Sequence, residues 1–445
     1  MKTPICDFVR AYAASDVARF HMPGHKGREL LGPEHLDITE IHGADVLYSA
    51  DGVIAESENN ATELFNTAHT YYSTEGSTLA IKAMLAIAVN AEKSDTPPVV
   101  LAARNVHRAF VNASALIGFD VEWMYPQEHE HLCACTVTPE LVATTLNAMG
   151  VKPRAVYITS PDYLGNIADV AGIAAVCDEY GVPLLVDNAH GAYLAFLEPS
   201  QHPIALGAAM CADSAHKTLP VLTGGAYLHI SKKFSHYTDA ARSTLSIFAS
   251  TSPSYLTLQS LDLCNAYIAD SYTSCLVSTV RSIDEMKVRL ASRGIVICDS
   301  EPLKIVVDSA RFGYTGGYIA DFLRRRGIEC EFSDSDLIVL MPTTLNSDHD
   351  LERLESALAS LSPRTPIVCV RPTIVRAERV MSIREATFSR RETIPVSASA
   401  GRVCAVSTVS CPPAVPVIVS GEIITTEVVS LLEYYGMNTI DVVAD

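Results

Sequence analysis

No apolar run in this sequence approaches the roughly 18 residues needed to cross a bilayer. The opening Met1-Lys2-Thr3-Pro4-Ile5-Cys6-Asp7 also has no signal-peptide core. No membrane partner is therefore expected, and a cytoplasmic location is. Paired cysteine spacing is missing too. The twelve cysteines are scattered, and Cys133-Ala134-Cys135 is too tight for a C-x-x-C pair. Reduced structural thiols follow, with no metal and no disulfides. Basic residues are in deficit: 33 Lys and Arg against 51 Asp and Glu leave a formal charge of -18. That balance argues against nucleic acid, whose phosphates demand basic patches, and is compatible with a cationic small-molecule substrate. Arg324-Arg325-Arg326 is not a basic patch in this sense, because it falls in the last turn of an expected helix, where the dipole favours cations. Internal repeats and low-complexity tracts are absent.

What is present is enough for a full core. A chain of 445 residues with 48% hydrophobic content is expected to hold two or three domains. Residues 1–60 are motif-rich and poorly periodic, as suits an arm over an active site. From Ala61 to Tyr272 strand and helix patterns alternate: Val99 to Ala103, Ala155 to Thr159 and Leu184 to Val186, with helical stretches such as Val170 to Tyr180. This is the signature of a mostly parallel sheet covered by helices. A smaller α/β unit is expected over 273–365, with helices at Thr273 to Arg293 and Gly317 to Arg326. Strands are expected there at Ile295 to Ile297, Leu303 to Val307 and Leu337 to Leu340. Residues 366–445 form a last unit, in which Glu422 to Leu432 reads as a strand leading to a helix.

The apolar stretch Leu184-Leu185-Val186 ends in Asp187, and Met210-Cys211-Ala212 leads into Ser214-Ala215-His216-Lys217-Thr218. A pyridoxal phosphate enzyme needs a lysine to hold the cofactor as a Schiff base. It also needs a carboxylate to keep the pyridine nitrogen protonated, so that the ring acts as an electron sink. Lys217 and Asp187 are placed for those two tasks, Asp187 at the carboxyl end of a strand where open α/β sheets present ligand-contacting residues. Alone, each has an ordinary reading, as a helix cap and as a surface lysine. Upstream, Gly76-Ser77-Thr78 opens a strong helix former, where free N–H groups and the dipole favour a phosphate, although Ser and Thr there are commonly caps. His107 follows the strand Val99 to Ala103 at the point where the chain leaves the sheet. It could stack on a cofactor ring or be a structural histidine.

Together these elements resemble the ornithine/lysine/arginine decarboxylase family, pyridoxal-dependent enzymes of the fold type I class. The resemblance covers nearly the whole chain. It is carried by Phe20-His21-Met22-Pro23-Gly24-His25-Lys26-Gly27, Asp37-Ile38-Thr39-Glu40 and Arg104-Asn105-Val106-His107-Arg108. Further elements are Ser160-Pro161-Asp162-Tyr163-Leu164-Gly165, Asp187 to Gly191, Ser214 to Thr218 and Thr251-Ser252-Pro253-Ser254-Tyr255. Near the end, Cys411-Pro412-Pro413-Ala414-Val415-Pro416 with Gly421-Glu422 is similar to the family's proline-rich signature.

The resemblance implies an α/β fold: an N-terminal arm (1–60), a fold type I pyridoxal phosphate-binding large domain (61–272), a small α/β domain (273–365) and a C-terminal decarboxylase-family domain (366–445). It also implies a short form without the receiver-like N-terminal wing. Lys217 would be the Schiff-base lysine and Asp187 the partner of the pyridine nitrogen. Ala189 would pack on one ring face and His107 on the other. Gly76, Ser77, Thr78 and Ser214 would bind the phosphate, and His216 would orient cofactor or substrate beside the lysine. The active site would lie at a homodimer interface, with Thr251 and Ser252 reaching the neighbouring subunit's phosphate. The expected reaction is decarboxylation of a basic amino acid, arginine before lysine before ornithine, to a polyamine precursor and CO2, with His216 or Lys217 returning the proton. Glu40, Asp45, Glu331 and Glu422 are the acids available to hold the substrate's far end, and each also reads as a surface acid. Asn188, Tyr193, Glu75 and Thr223-Gly224 depart from the family's usual glutamate, histidine, asparagine and Thr-Gln, which leaves the substrate open. The alternatives are an aminotransferase or another fold type I lyase, and a catalytically silent pyridoxal-binding protein.

Overall fold

Hydroxyl and acidic residues mark where the helices begin. Thr138, Asp169, Ser254, Thr315, Ser347, Ser382 and Thr425 each accept a hydrogen bond from a backbone N–H of the helix they precede. They satisfy donors that the first helical turn leaves without partners. The structure is a computed structural model that describes residues 1–93, 96–128, 130–368, 372–407 and 414–444. Cys411-Pro412-Pro413 of the proline-rich element lies outside the described residues.

The chain opens with α1 (Pro4–Ala13), α2 (Val53–Leu64), β1 (His69–Ser73) and α3 (Gly76–Asn90). There follow β2 (Val99–Ala103), α4 (Arg108–Ile117), β3 (Asp120–Met124), α5 (Pro139–Ala148), β4 (Ala155–Thr159) and α6 (Val170–Tyr180). Next come β5 (Leu184–Asp187), β6 (Met210–Asp213), the short α7 (Ala215–Thr218), β7 (Ala226–Ile230), α8 (Thr238–Phe248), α9 (Tyr255–Tyr267) and α10 (Thr273–Ser292). The remainder holds β8 (Ile297–Cys298), β9 (Ile305–Asp308), α11 (Gly316–Arg324), β10 (Phe332–Ser333), β11 (Leu337–Leu340) and α12 (Asp348–Ala359). It ends with α13 (Ile383–Phe388), β12 (Arg391–Pro395), α14 (Thr426–Tyr434) and β13 (Thr439–Val443).

Two compact units are made from alternating stretches of chain, Met1–Lys93 with Pro183–Leu276, and Ser94–Val182 with Val277–Asp445. In the first, strands lie in the order β1-β7-β6-β5. β5 and β6 are parallel, and β7 runs against β6 and β1. α3 packs on β6, β7 and α8, and it buries Leu79, Ile81, Met84, Leu85 and Ile87 on nearly all sides, as a helix apolar all round must. The first residues belong to this unit through α1, whose Ile5, Cys6 and Val9 are buried where it meets α2 and α9.

In the second unit β4, β2 and β3 are parallel in that order, an antiparallel sheet runs β10-β11-β9-β8, and β12 pairs β13. The α/β class with a mostly parallel sheet holds. The strand expected at Glu422 is a correction. Glu422 and Ile423 make only isolated bridges, to Arg379 and Val403. Gly421 (φ 89°) reverses the chain just before them, and Thr425 already caps α14. Three residues between a reversal and a cap are too few for a ladder. Among the described residues, no helix is long and apolar enough to cross a membrane.

Candidate active site

The candidate site is built on the first unit, where β5 and β6 end and α3 begins. Asp187 is the last residue of β5 and is 2% exposed. Its Oδ1 accepts the Ala189 N–H at 3.2 Å, which turns the chain sharply off the strand. Three residues on, the buried His190 meets Lys217, Nε2 to Nζ, at 3.2 Å. Lys217 is half-buried on α7, whose turn closes through Lys217 N–H to the Ser214 carbonyl at 3.0 Å. Parallel pairing sets Asp187 beside Ala212, so the aspartate strand and the lysine turn leave the sheet side by side.

The Ser214 hydroxyl donates to the Ser77 hydroxyl at 2.8 Å, which ties the lysine turn to the start of α3. That helix end has no side-chain cap. Gly76 there adopts φ 72°, and nothing lies within 4 Å of where its Cβ would be. Unsatisfied N–H groups of a long helix, hydroxyls of Ser77, Thr78 and Ser214, and open space above Gly76 suit a phosphate. The residues present therefore fit the phosphate, the amine-reactive carbonyl and the basic ring nitrogen of pyridoxal phosphate.

His216 points its Nδ1 at the Gly225 carbonyl, 2.9 Å away, and must donate there. Burial holds its pKa below the ordinary imidazole value; the Gly225 bond opposes this and the Lys217 cation adds to it. At neutral pH His216 is thus a neutral ring with Nε2 as its acceptor.

The departures from the family pattern have local explanations. Glu75 is exposed and turns away from the helix start to accept the Ser250 N–H at 2.7 Å. This bond ties the exposed Thr251–Ser252 segment to the residue before Gly76 of its own chain. Gly224 (φ 97°) accepts the Gly76 N–H at 2.7 Å, and a Cβ there would sit 2.7 Å from the Thr74 carbonyl oxygen. Only glycine fits that approach. Asn188, fully buried, donates to Asp213 Oδ1 at 2.8 Å. Tyr193 is fully buried.

The remaining candidates are spread more widely. His107, in the second unit, caps α4 by accepting the Ala109 N–H on Nδ1. Asp45 accepts from the backbone N–H groups of Val46, Asp51, Gly52, Ile54 and Ala55. Burial pushes its pKa upward, and the backbone donors more than offset this and leave it below the usual value. Its oxygens anchor the start of α2. Glu40 is half-buried and takes a hydrogen bond from Thr39. Glu331 is exposed and accepts from the Tyr163 hydroxyl at 2.8 Å.

Glu422 is buried, pushed up in pKa by that burial, and held by Arg104 at 3.4 Å and the Val419 N–H at 2.8 Å. Arg104 also donates to the Pro416 and Val417 carbonyls and lies 5.3 Å from the Trp123 ring centre. These two residues clamp the C-terminal segment. Breaking a buried ion pair leaves an uncompensated charge, so Arg104→Met is expected to destabilise by about 3–5 kcal/mol, with Glu422→Gln in the same chain recovering most of it. Chemical denaturation followed by fluorescence of Trp123, the single tryptophan, reads both. Asp162 of the Ser160 to Gly165 element is similarly internal. Burial raises its pKa to about 6 against hydrogen bonds from Asn166 and Leu164, and it shapes a turn closed by Gly165 (φ 87°).

Against known families, the model of Orn/Lys/Arg decarboxylase, major domain, matches residues 3–308, and that of its C-terminal domain matches residues 375–440. The chain belongs to this family. It is a pyridoxal phosphate-dependent decarboxylase. The enzyme is 28% identical over 463 residues to the arginine decarboxylase of Bacillus subtilis (strain 168), covering 97% of this chain and 93% of the relative. It is 27% identical over 459 residues to an uncharacterized protein, YaaO, of the same organism, covering 97% and 94%. The constitutive lysine decarboxylase of E. coli shares its fold at a TM-score of 0.79 and 16% identity, over 100% of this chain and 82% of that one.

Proposed function

We propose that the enzyme decarboxylates arginine in preference to lysine and ornithine, releasing agmatine as a polyamine precursor, and works as a cytoplasmic homodimer. The Ser214–Ser77 hydrogen bond carries the site assignment, because it joins the lysine turn and the uncapped helix start into one cradle. In this reading Lys217 anchors the cofactor covalently, Gly76, Ser77, Thr78 and Ser214 hold its phosphate, and Ala189 packs on one face of the ring. Pyridoxal phosphate supplies the electron sink into which the carboxylate's bonding pair flows as CO2 leaves. Asp187 keeps a proton on the ring nitrogen. Contacts between the bound substrate and this chain's residues would set which bond at the α-carbon breaks.

Lys217 is the better proton donor to the α-carbon. His216 already donates its only neutral-form proton to Gly225, whereas Lys217 has a neighbouring imidazole, His190, to relay through. Of the four acids considered for the substrate's far end, Asp45 and Glu422 are engaged by backbone donors and Arg104. Glu40, on the same unit as Lys217, is left to meet a guanidinium. Arginine ranks first because a relative matched along most of both chains bears that activity in its name. CO2 release by the loaded enzyme, with each amino acid supplied separately, is expected to be at least about tenfold faster from arginine, as a difference of ~1.4 kcal/mol in transition-state binding gives. Equal rates, or a faster one from lysine or ornithine, would reverse the ranking.

Support for the dimer comes from the N-terminal segment, where Phe20, Leu30 and Leu31 are 96%, 87% and 91% exposed. Covering such a side chain stabilises by about 1.5–3 kcal/mol. The pair of changes Leu30→Asp and Leu31→Asp is expected to shift sedimentation from dimer to monomer; an unchanged dimer would place the interface elsewhere. Thr251 and Ser252 keep their proposed reach to the neighbouring subunit's phosphate.

A further inference from the structure

Behind the lysine turn lies a second cluster that the decarboxylation does not use. Cys211 and Asp213 are two apart on β6 and so share one face of the sheet. His229 on β7 pairs directly with Cys211, which brings it to the same face. His202 arrives from the loop before β6. One ligand atom from each of these four residues lies within 4.8 Å of all the others. His202 Nε2 and His229 Nε2 are 3.0 and 3.2 Å from Asp213 Oδ2. Cys211 Sγ is 3.8 Å from His202 Nε2 and 3.6 Å from Asp213 Oδ1. A tetrahedral zinc, with bonds of about 2.0–2.1 Å to N and O and 2.3 Å to S, has edges of about 3.3 Å between N and O and about 3.6 Å to S. The two His–Oδ2 separations and the Cys211–His202 separation are close to those edges.

A second observation points inward to a cation. His229 is fully buried, and its Nε2 lies 3.2 Å from Asp213 Oδ2 without the geometry of a hydrogen bond. The other nitrogen of the ring is occupied: Nδ1 meets the Thr70 hydroxyl at 2.9 Å, which in turn meets Thr67 at 2.9 Å. In the tautomer that gives Nδ1–H to Thr70, the Nε2 lone pair meets an anionic oxygen, and a cation between the two satisfies both. Asn188 holds Asp213 Oδ1 from the opposite side. The Phe65 ring lies 4.5 Å from His229 and 5.6 Å from His202. Oriented ligands inside an apolar shell are what a metal site requires beyond its ligands.

We propose that His202, Cys211, Asp213 and His229 form a structural zinc site. One thiolate, two imidazoles and a carboxylate make a closed four-ligand set for a borderline-soft ion. Asp213 precedes Ser214 and is held by Asn188, the neighbour of Asp187. The metal would therefore brace the strand ends that carry the phosphate hydroxyl and the pyridine partner.

The test is metal analysis of the full-length enzyme, expressed with zinc supplied and dialysed without chelator. About one zinc per chain is expected, and a strong chelator should lower the thermal midpoint by about 5 °C or more, restored by Zn2+ and not by Mg2+. Cys211→Ser, which keeps the side chain's size, should weaken zinc retention at least tenfold against a competing chelator. A protein that carries no zinc above background, and whose melting responds to neither chelator nor Zn2+, would overturn the proposal and leave the cluster a hydrogen-bonded core network. Zinc retained unchanged in Cys211→Ser would also overturn this ligand set.

Discussion

Lys217→Ala is expected to abolish the visible absorbance of covalently held cofactor and to lower CO2 release on the order of a thousandfold or more, as removal of a covalent anchor that also moves a proton does. Lys217 is half-buried on a short helix that Ser214, His216 and Gly225 hold through other bonds. The variant should therefore fold, and its thermal midpoint serves as the control. Added primary amines should restore part of the turnover if proton return is part of the lysine's task. A variant with full activity would remove Lys217 from the reaction altogether.

Asp187→Asn separates charge from shape. The asparagine oxygen can still accept the Ala189 N–H that Asp187 accepts at 3.2 Å, so the turn after β5 should persist. What would be lost is the negative charge proposed to hold a proton on the ring nitrogen. A fall in kcat on the order of a hundredfold to a thousandfold is expected, the scale of removing one preorganised electrostatic contact, with the cofactor still bound to Lys217 and a displaced absorbance maximum. If kcat is unchanged, the carboxylate is only the cap of the Ala189 turn.

The strand end at Asp187 and the helix start at Gly76 are readable from the residues. An apolar run ending in aspartate and a glycine with two hydroxyls before an apolar helix report their own geometry, because strand ends and helix starts impose it. Partnerships between distant residues are not. Nothing in the sequence tells that Asn188 holds Asp213, or that Glu422 meets Arg104 more than three hundred positions away. Asp45 reads as a surface acid, and its five backbone donors come from the loop after it and the first turn of α2, whose path follows from tertiary packing. His190 sat inside the quoted Asp187 to Gly191 run without a role, and only folding of the lysine turn brings it to Lys217. Cysteine spacing gave no hint of the cluster around Cys211, since three of its four members are not cysteine and the sheet register assembles them.

Lys217 is the lysine proposed to hold the cofactor. Borohydride reduction of the loaded enzyme, followed by digestion and mass spectrometry of the peptides, tests that assignment directly. A phosphopyridoxyl group is expected on Lys217, in the peptide containing Ser214-Ala215-His216-Lys217. The same group on another lysine, with Lys217 unmodified, would contradict it.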